Sequence, residues 1–235
     1  IYRELGDALS GMVESFSFTS LAEKILSTEG GAAVQTLSDA GRAVLVRRAL
    51  EELQDNVHYY HRHRRSAAFC QMAAQTIDEL KSAGLSGQQL AQLAGACGAE
   101  SGKLSELALI FQGYETLLAR SGMDPSDRLE LAGARLEEAL ARHSLPEFLR
   151  DRAVFIDEFD TFNAPKKRLL GAMLAALPSV TVALCDDGAP LLPGDLSLFS
   201  GAKQVAAQLR QLARKNGAEV AVPQLLRKDL RHRNA

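Results

Sequence analysis

Two hydropathy regimes divide the 235 residues, and together they predict an α/β protein: a parallel strand-and-helix layer carrying a large all-helical insertion. From about residue 19 to 149 the apolar residues recur at helical spacing with no strand pattern between them. From residue 150 onward, continuous apolar runs at 153–156, 179–184 and 220–222 alternate with helical stretches at 163–177 and 201–216. Continuous runs belong to strands covered on both faces of a parallel sheet, and the order strand, helix, strand, helix, strand is that of a parallel layer. A third observation is the alternation at 13–18, where Phe16 and Phe18 share one face and Val13, Ser15 and Ser17 the other, which predicts an early strand joined to that layer. The expected boundaries are 1–18 and 150–235 for the layer and 19–149 for the insertion.

The insertion reads as a series of capped helices. After the early strand, a helix opens at Thr19 or Ser20 and carries Leu21, Ile25 and Leu26. Ser38 caps a helix bearing Ala40, Val44, Leu45, Leu50 and Leu53, and Phe69, Met72, Ala73, Ile77 and Leu80 form the apolar stripe of the next. Ser86 and Gln89 have capping-box spacing ahead of Leu90 and Leu93. A long amphipathic helix follows over Leu104, Leu107, Ala108, Phe111, Tyr114 and Leu118, and Asp124-Pro125 opens another through Leu129, Ala132, Leu136 and Leu140. In the layer, Asn163 caps the first helix, and Gly217 closes the second as its C′ residue.

Composition narrows the class. A hydrophobic fraction of 46% with 24% charged residues is the balance of a globular protein, and no apolar run approaches the ~18 residues of a membrane span. Cys70, Cys97 and Cys185 lie far apart without a CxxC pair, which fits a reducing, cytoplasmic setting better than a disulfide framework. The start has neither an initiator Met nor a signal-peptide pattern, and the last residues carry no helix stop, so the chain reads as a piece of a longer protein. Net charge is −2, but residues 202–235 carry eight basic groups against two acidic ones. Such a segment can meet phosphate, though a charge run more often marks solvated helix faces.

Ligand sites of open α/β sheets lie at the C-terminal ends of the strands. Asp157, Glu158, Asp186 and Asp187 all stand there. An apolar strand delivering adjacent carboxylates is what nucleotide hydrolysis uses, the first holding Mg²⁺ and the second orienting water. The phosphate-cradling run G-x-x-x-x-G-K-[ST] does not occur in these residues, so this chain by itself is not expected to hydrolyse ATP efficiently. A second cluster is His58-Tyr59-Tyr60-His61-Arg62-His63-Arg64-Arg65, where arginines can meet phosphate and a tyrosine can stack on a base. A solvated basic loop fits it as well, and no carboxylate or thiol completes a metal set around its histidines.

These residues resemble a known group. Ile156-Asp157-Glu158-Phe159-Asp160-Thr161 is similar to motif II of superfamily 1 helicases of the UvrD/Rep kind, DEFQDT, with one residue fewer between Phe and Asp. The run from Val180 to Asp187 resembles the strand of motif III, VGDxxQ, with Cys185 at the Gly position and the Gln missing, and Leu198-Phe199-Ser200-Gly201-Ala202 resembles the FRGA that follows. The segments 15–26, 37–50, 77–85 and 152–162 resemble the AddB subunit of bacterial AddAB helicase-nucleases over nearly the whole chain. The resemblance implies a partial RecA-like sheet of the P-loop NTPase type, with 19–149 as the helical 1B-type insertion. It implies Mg²⁺ and ATP in the parent protein, with Asp157 and Glu158 as catalytic residues, Asp157 on the metal, and Asp157 and Asp186 on the nucleotide side. An iron–sulfur cluster and a nuclease domain are expected outside this chain, and an AddA-type subunit and DNA as partners.

Three functions follow as expectations. The first is a fragment of an AddB-type subunit acting in double-strand break repair and recombination, whose degenerate helicase fold holds DNA through Arg62, Arg64, Arg65, Lys203, Arg210, Arg214 and Lys215. The second is an active superfamily 1 motor lacking its phosphate loop here. The third is a helical protein-interaction module without salt-sensitive nucleic-acid affinity.

Overall fold

The structure, a computed structural model, describes residues 11–53, 55–98 and 101–226. It divides into two compact units, one of residues up to 146 together with 163–169, the other of residues 147–162 together with those from 170 onward.

The first unit is helical. Helix α1 (Phe18–Glu29) begins where Ser17 and Ser20 cap each other, Ser17 Oγ accepting from the Ser20 N–H at 3.1 Å and Ser20 Oγ from the Ser17 N–H at 2.8 Å. Its buried face is Phe18, Leu21, Ala22, Ile25 and Leu26, a 3.6-residue stripe. The strand expected over 13–18 does not form. No other described strand pairs with this stretch, so its N–H and C=O groups have no ladder to join. Ser17 is spent as a cap, which sends Phe18 into the helix.

Helices α2 (Asp39–Glu52), α3 (Ala67–Ser82) and α4 (Gly87–Ala94) start at Ser38, Ser66 and Ser86, each accepting the N–H three residues on. Ser86 and Gln89 form the expected capping box. Helices α5 (Ser101–Ser121) and α6 (Pro125–Ala141) complete the series, with Pro125 at the first helical position. Leu45, Val46, Leu50, Ile77, Ile110, Phe111 and Tyr114 make the centre of one core shared by α2, α3 and α5. Helix α4 reaches α5 because residue 87 has no side chain: a Cβ there would stand 2.7 Å from Gln112 Cγ and 2.8 Å from the Gln112 backbone nitrogen. Some residues expected on apolar faces lie outside instead: Val44 is 63%, Met72 57% and Leu93 51% exposed.

Ion pairs fix the outer helices. Arg128 of α6 binds Glu23 of α1 and the carbonyls of Val34 and Ala32. Helix α7 (Ala164–Ala176) gives its first turns to this unit, where Arg168 binds Glu130 and Glu137. At the α5–α6 corner Asp124, wholly buried, accepts from the Tyr114 hydroxyl at 2.6 Å and from Lys81 Nζ at 2.9 Å. Lys81 also donates to Asp127 at 2.5 Å. Burial pulls the Lys81 ammonium toward neutrality, but the hydrogen bonds to Asp127 and Asp124 outweigh it and hold it charged. Burial, and then the bond to Asp124, pushes the Tyr114 hydroxyl far up, so it stays a donor.

The second unit holds a two-stranded parallel sheet among its described residues. Strand β1 (Ala153–Ile156) pairs with β2 (Ser179–Val182) from Ala153↔Ser179 to Ile156↔Val182, with α7 between them in sequence. The expected cover on both faces is absent, and Phe155 is 76% exposed, because only one neighbour and one covered face exist for β1 in these residues. The third strand expected at 220–222 does not pair either. It is three residues long and runs into Pro223, which has no N–H to give a ladder. Helix α8 (Ser200–Lys215) ends as expected: Gly217 takes φ +74°, its N–H bonds the Arg214 carbonyl at 3.1 Å, and the Ala218 N–H bonds the Ala213 carbonyl at 3.0 Å. This is a Schellman closure, which glycine enters without a Cβ clash. No described helix is long and apolar enough to cross a membrane.

Candidate nucleic-acid interface

At the end of β1, the chain turns at Asp157-Glu158. Glu158 has φ +66°, a left-handed conformation uncommon for a side-chain-bearing residue, and Asp157 Oδ1 accepts the Glu158 N–H at 3.0 Å. After β2, Asp186 Oδ1 accepts the Gly188 N–H at 2.8 Å and Asp187 Oδ1 the Ala189 N–H at 2.9 Å. Asp186 and Asp187 therefore shape their own turn, as Asp side chains do in Asx turns, and Asp157 bonds the next residue of its own bend. A magnesium–nucleotide pair needs one or two carboxylates together with phosphates cradled by backbone N–H groups and a lysine. The strand ends supply carboxylates, but this chain has no G-x-x-x-x-G-K-[ST] run. Among the described residues no three His, Cys, Asp or Glu side chains gather as a metal group. The donor set does not fit a self-contained site for that pair, and no hydrolytic step is derived from it.

Lys203 departs from its expected role as a DNA contact. Its side chain is only 4% exposed, and Nζ sits 2.9 Å from Asp187 and 3.8 Å from Asp195. An ammonium held by two carboxylates in its own loop–helix unit is not offered to a phosphate. The hydrogen bond from Lys203, then that from the Ala189 N–H, holds the Asp187 carboxyl below its ordinary value of 3.8. Backbone and hydroxyl bonds from Ser197 lower Asp195 likewise. A carboxyl depressed by folding contributes stability that is present above its unfolded pKa and is lost as pH falls through the folded one. Amide exchange over 187–203 is therefore expected to stay flat from pH 8 to 5 and to quicken, relative to the intrinsic rate, only below about pH 4. Quickening between pH 5 and 7 would contradict this pairing.

Other basic residues on α8 do stand at the surface. Arg210 and Arg214 are exposed and one turn apart on the helix, and Lys215 is exposed beside them. Arg214 and Lys215 lie in the last turn, where positive charge also complements the helix dipole.

The cluster at 58–65 is built differently. It forms no helix of its own beyond one 3₁₀ turn at His61–His63. It is held instead by one carboxylate from α5. Glu106, 6% exposed, accepts the His58 N–H at 2.8 Å, the Tyr59 N–H at 2.8 and 3.0 Å, and the Tyr60 N–H at 3.2 Å. Three successive N–H groups converging on one anion make a nest, and they fix the backbone just before the arginines. Ser66 then caps α3, so the segment is tied at both ends. Arg62 and Arg65 are exposed and Arg64 is partly so. Among the described residues none of the three guanidinium groups meets a carboxylate at ion-pair distance. Three arginines on a preordered loop, none paired with a carboxylate among the described residues, are an arrangement that meets phosphates.

A family model described as ADDB, N-terminal, matches residues 2–235. The chain belongs to that family. Among curated relatives it is 33% identical over 227 residues to the B subunit of the ATP-dependent helicase/deoxyribonuclease of Desulforudis audaxviator, covering 93% of this chain and 19% of that protein. It is 31% identical over 231 residues to the protein of the same name from Moorella thermoacetica, covering 94% and 19%. With that from Symbiobacterium thermophilum it shares 30% over 246 residues, covering 97% and 20%. The chain thus spans about a fifth of the length of these AddB relatives.

Within this AddB N-terminal chain, the residue that positions the basic loop is not legible in the sequence. Glu106 sits between Ser105 and Leu107 on a long amphipathic helix where a glutamate carries no sign of burial, and only the partner loop 46–48 positions earlier reveals it as buried. The spacing of Phe69 and Met72 predicts core; Phe69 is half-buried and packs against the core, while Met72 is exposed, and both border the depression next to the basic loop.

Proposed function

We propose that this chain is the DNA-holding N-terminal part of an AddB-type subunit of an ATP-dependent helicase/deoxyribonuclease. In this reading the two-stranded sheet is part of a RecA-like, P-loop NTPase-type layer comprising 1–18 and 150–235, and 19–149 is its helical 1B-type insertion. Mg²⁺ and ATP belong to the parent protein, with Asp157 and Asp186 as the residues of this chain on that side. An AddA-type subunit is the partner, an iron–sulfur cluster lies elsewhere in the parent, and the setting is recombinational repair in the cytoplasm. The observation that carries the reading is the Glu106-anchored loop with three arginines that meet no carboxylate among the described residues, seen beside membership of the AddB family. The alternative of an active motor has less support, because the strand-end carboxylates serve local turns and Lys203 is consumed by Asp187.

Binding to a single-stranded oligonucleotide, followed by fluorescence anisotropy from 50 to 200 mM salt, tests this. Three phosphate contacts predict a slope of log affinity against log salt of about −2, or a roughly twentyfold loss across that range. Affinity that is absent, or flat with salt, favours the protein-interaction module instead.

A further inference from the structure

The loop that carries the arginines also borders an open depression of about 430 Å³ lined by Tyr59, Tyr60, His63, Phe69, Met72 and Lys103, together with Ala68. Its floor is an aromatic array. The Phe69 ring stacks with Tyr60 at 5.3 Å between centroids and with His63 at 5.5 Å, both at 29°. Its rim is unusually apolar for a surface, with Tyr59 and Met72 each 57% exposed. Tyr59 leans over Gly102 at the start of α5, where a Cβ would meet Tyr59 Cε2 at 3.0 Å. A side chain at residue 102 would therefore press on the ring, which would have to give by a few tenths of an ångström.

We infer that this depression is a stacking site for one unpaired nucleobase of single-stranded DNA, while Arg62, Arg64 and Arg65 hold the flanking phosphates; the inference rests on the DNA-holding reading above. Three features on one surface support this occupant. The π-faces and the methionine thioether give a planar, sequence-tolerant platform, since every base has a π-face. Arg62 and Arg64 flank His63 in the chain, so positive charge belongs to the same loop as the platform and complements a polyanion. The loop backbone that carries Tyr59 and Tyr60 is already fixed by Glu106, so little ordering is required on binding. A peptide partner would find the same apolar rim, but the arginines of the same loop, none at ion-pair distance from a carboxylate among the described residues, match the regular negative charge of a nucleic-acid strand. Duplex DNA keeps its bases stacked and offers none to this platform, so the ligand is a single strand.

The test compares a twelve-residue oligothymidylate with the same strand carrying abasic sites, both on the full chain at 50 mM salt, with thermal melting as a fold control. The wild type is expected to prefer the thymidylate about tenfold. Tyr59→Ala should erase most of that preference while leaving abasic affinity and the salt slope unchanged, and Tyr59→Phe should restore it. Gly102→Ala, which keeps every ring but intrudes on Tyr59, should weaken thymidylate binding selectively as well. Equal wild-type affinity for the two strands, or equal loss for both in Tyr59→Ala, overturns the stacking site and leaves the phosphate contacts standing. A change in association state by sedimentation, with thymidylate affinity unaltered in Tyr59→Ala, overturns it in favour of a protein contact. If neither strand binds the wild type, the DNA-holding reading itself fails, and this inference with it.

Discussion

Replacing Asp124 with alanine is expected to destabilise the helical unit by about 3–5 kcal/mol, the cost of removing one partner from a buried charge pair. The carboxylate is wholly buried and is the shared acceptor of Lys81 and Tyr114. Without it the Lys81 ammonium, 11% exposed, keeps only Asp127, and the Tyr114 hydroxyl loses its acceptor inside the core. Asp124 also opens α6, and its N–H is met by Asp127 at 3.4 Å, so the corner between α5 and α6 loosens at the same time. In a thermal melt the midpoint should fall by roughly 10 °C, given about 2–4 °C per kcal/mol for a chain of this size. Asp124→Asn keeps an oxygen for one donor and should lose less. The double variant Asp124→Leu with Lys81→Met should recover much of the loss, because a buried pair replaced by well-packed apolar groups is often neutral. A melt unchanged in Asp124→Ala would show that the hub is not a stability element.

Glu106→Ala is the second large effect, and it couples the fold to the proposed function. Three N–H groups lose a charged acceptor, and hydrogen bonds to charged groups contribute about 1.5–3 kcal/mol each at most; because the loop can partly resolvate, the expected net loss is about 3 kcal/mol. The consequence for binding is separate. A loop freed to sample many conformations must be ordered when it grips a strand, so oligonucleotide affinity should fall by about tenfold even at temperatures where the variant is fully folded. Glu106→Gln retains one acceptor oxygen but turns an NH₂ toward the Tyr59 and Tyr60 N–H groups, so it should behave more like the alanine than like the wild type. Amide exchange of residues 58–60 reports the loop directly and should quicken in both. Slow exchange at these amides in Glu106→Ala would mean that the loop is held by other contacts.

The helical part is legible in the sequence because its signals are local. Serine caps at 38 and 86, Pro125 at a first turn and Gly217 past a last one each act through neighbours a few residues away. Sequence and structure part where the outcome depends on distant partners. Alternation over 13–18 satisfies a strand pattern, but a strand needs a neighbour to bond, and Ser17 finds a use as a cap instead. The stripe through Phe69 and Met72 has core spacing, yet the helix it belongs to turns Ala73, Ala74 and Ile77 inward and leaves Met72 out. Lys203 lies in a basic stretch and looks like a phosphate contact until the loop after β2 folds back with Asp187 and Asp195. At the candidate interface the sequence displays the arginines and tyrosines of 58–65, but neither the carboxylate that presents them nor the aromatic floor beneath. Glu106 acts across 46–48 positions of chain, a separation that no periodicity records.

If positive charge on the Glu106-anchored loop holds DNA, the most direct measurement is the salt dependence of single-strand affinity for the wild type and for the combined variant Arg62→Gln, Arg64→Gln, Arg65→Gln, with melting curves confirming that both are folded. The slope is predicted to shrink by about 2 in the variant, since each lost phosphate contact removes about 0.7, and affinity at 50 mM salt should fall with it. A slope and affinity equal in the two proteins would contradict this role for the loop and move the DNA contact, if any remains, away from it.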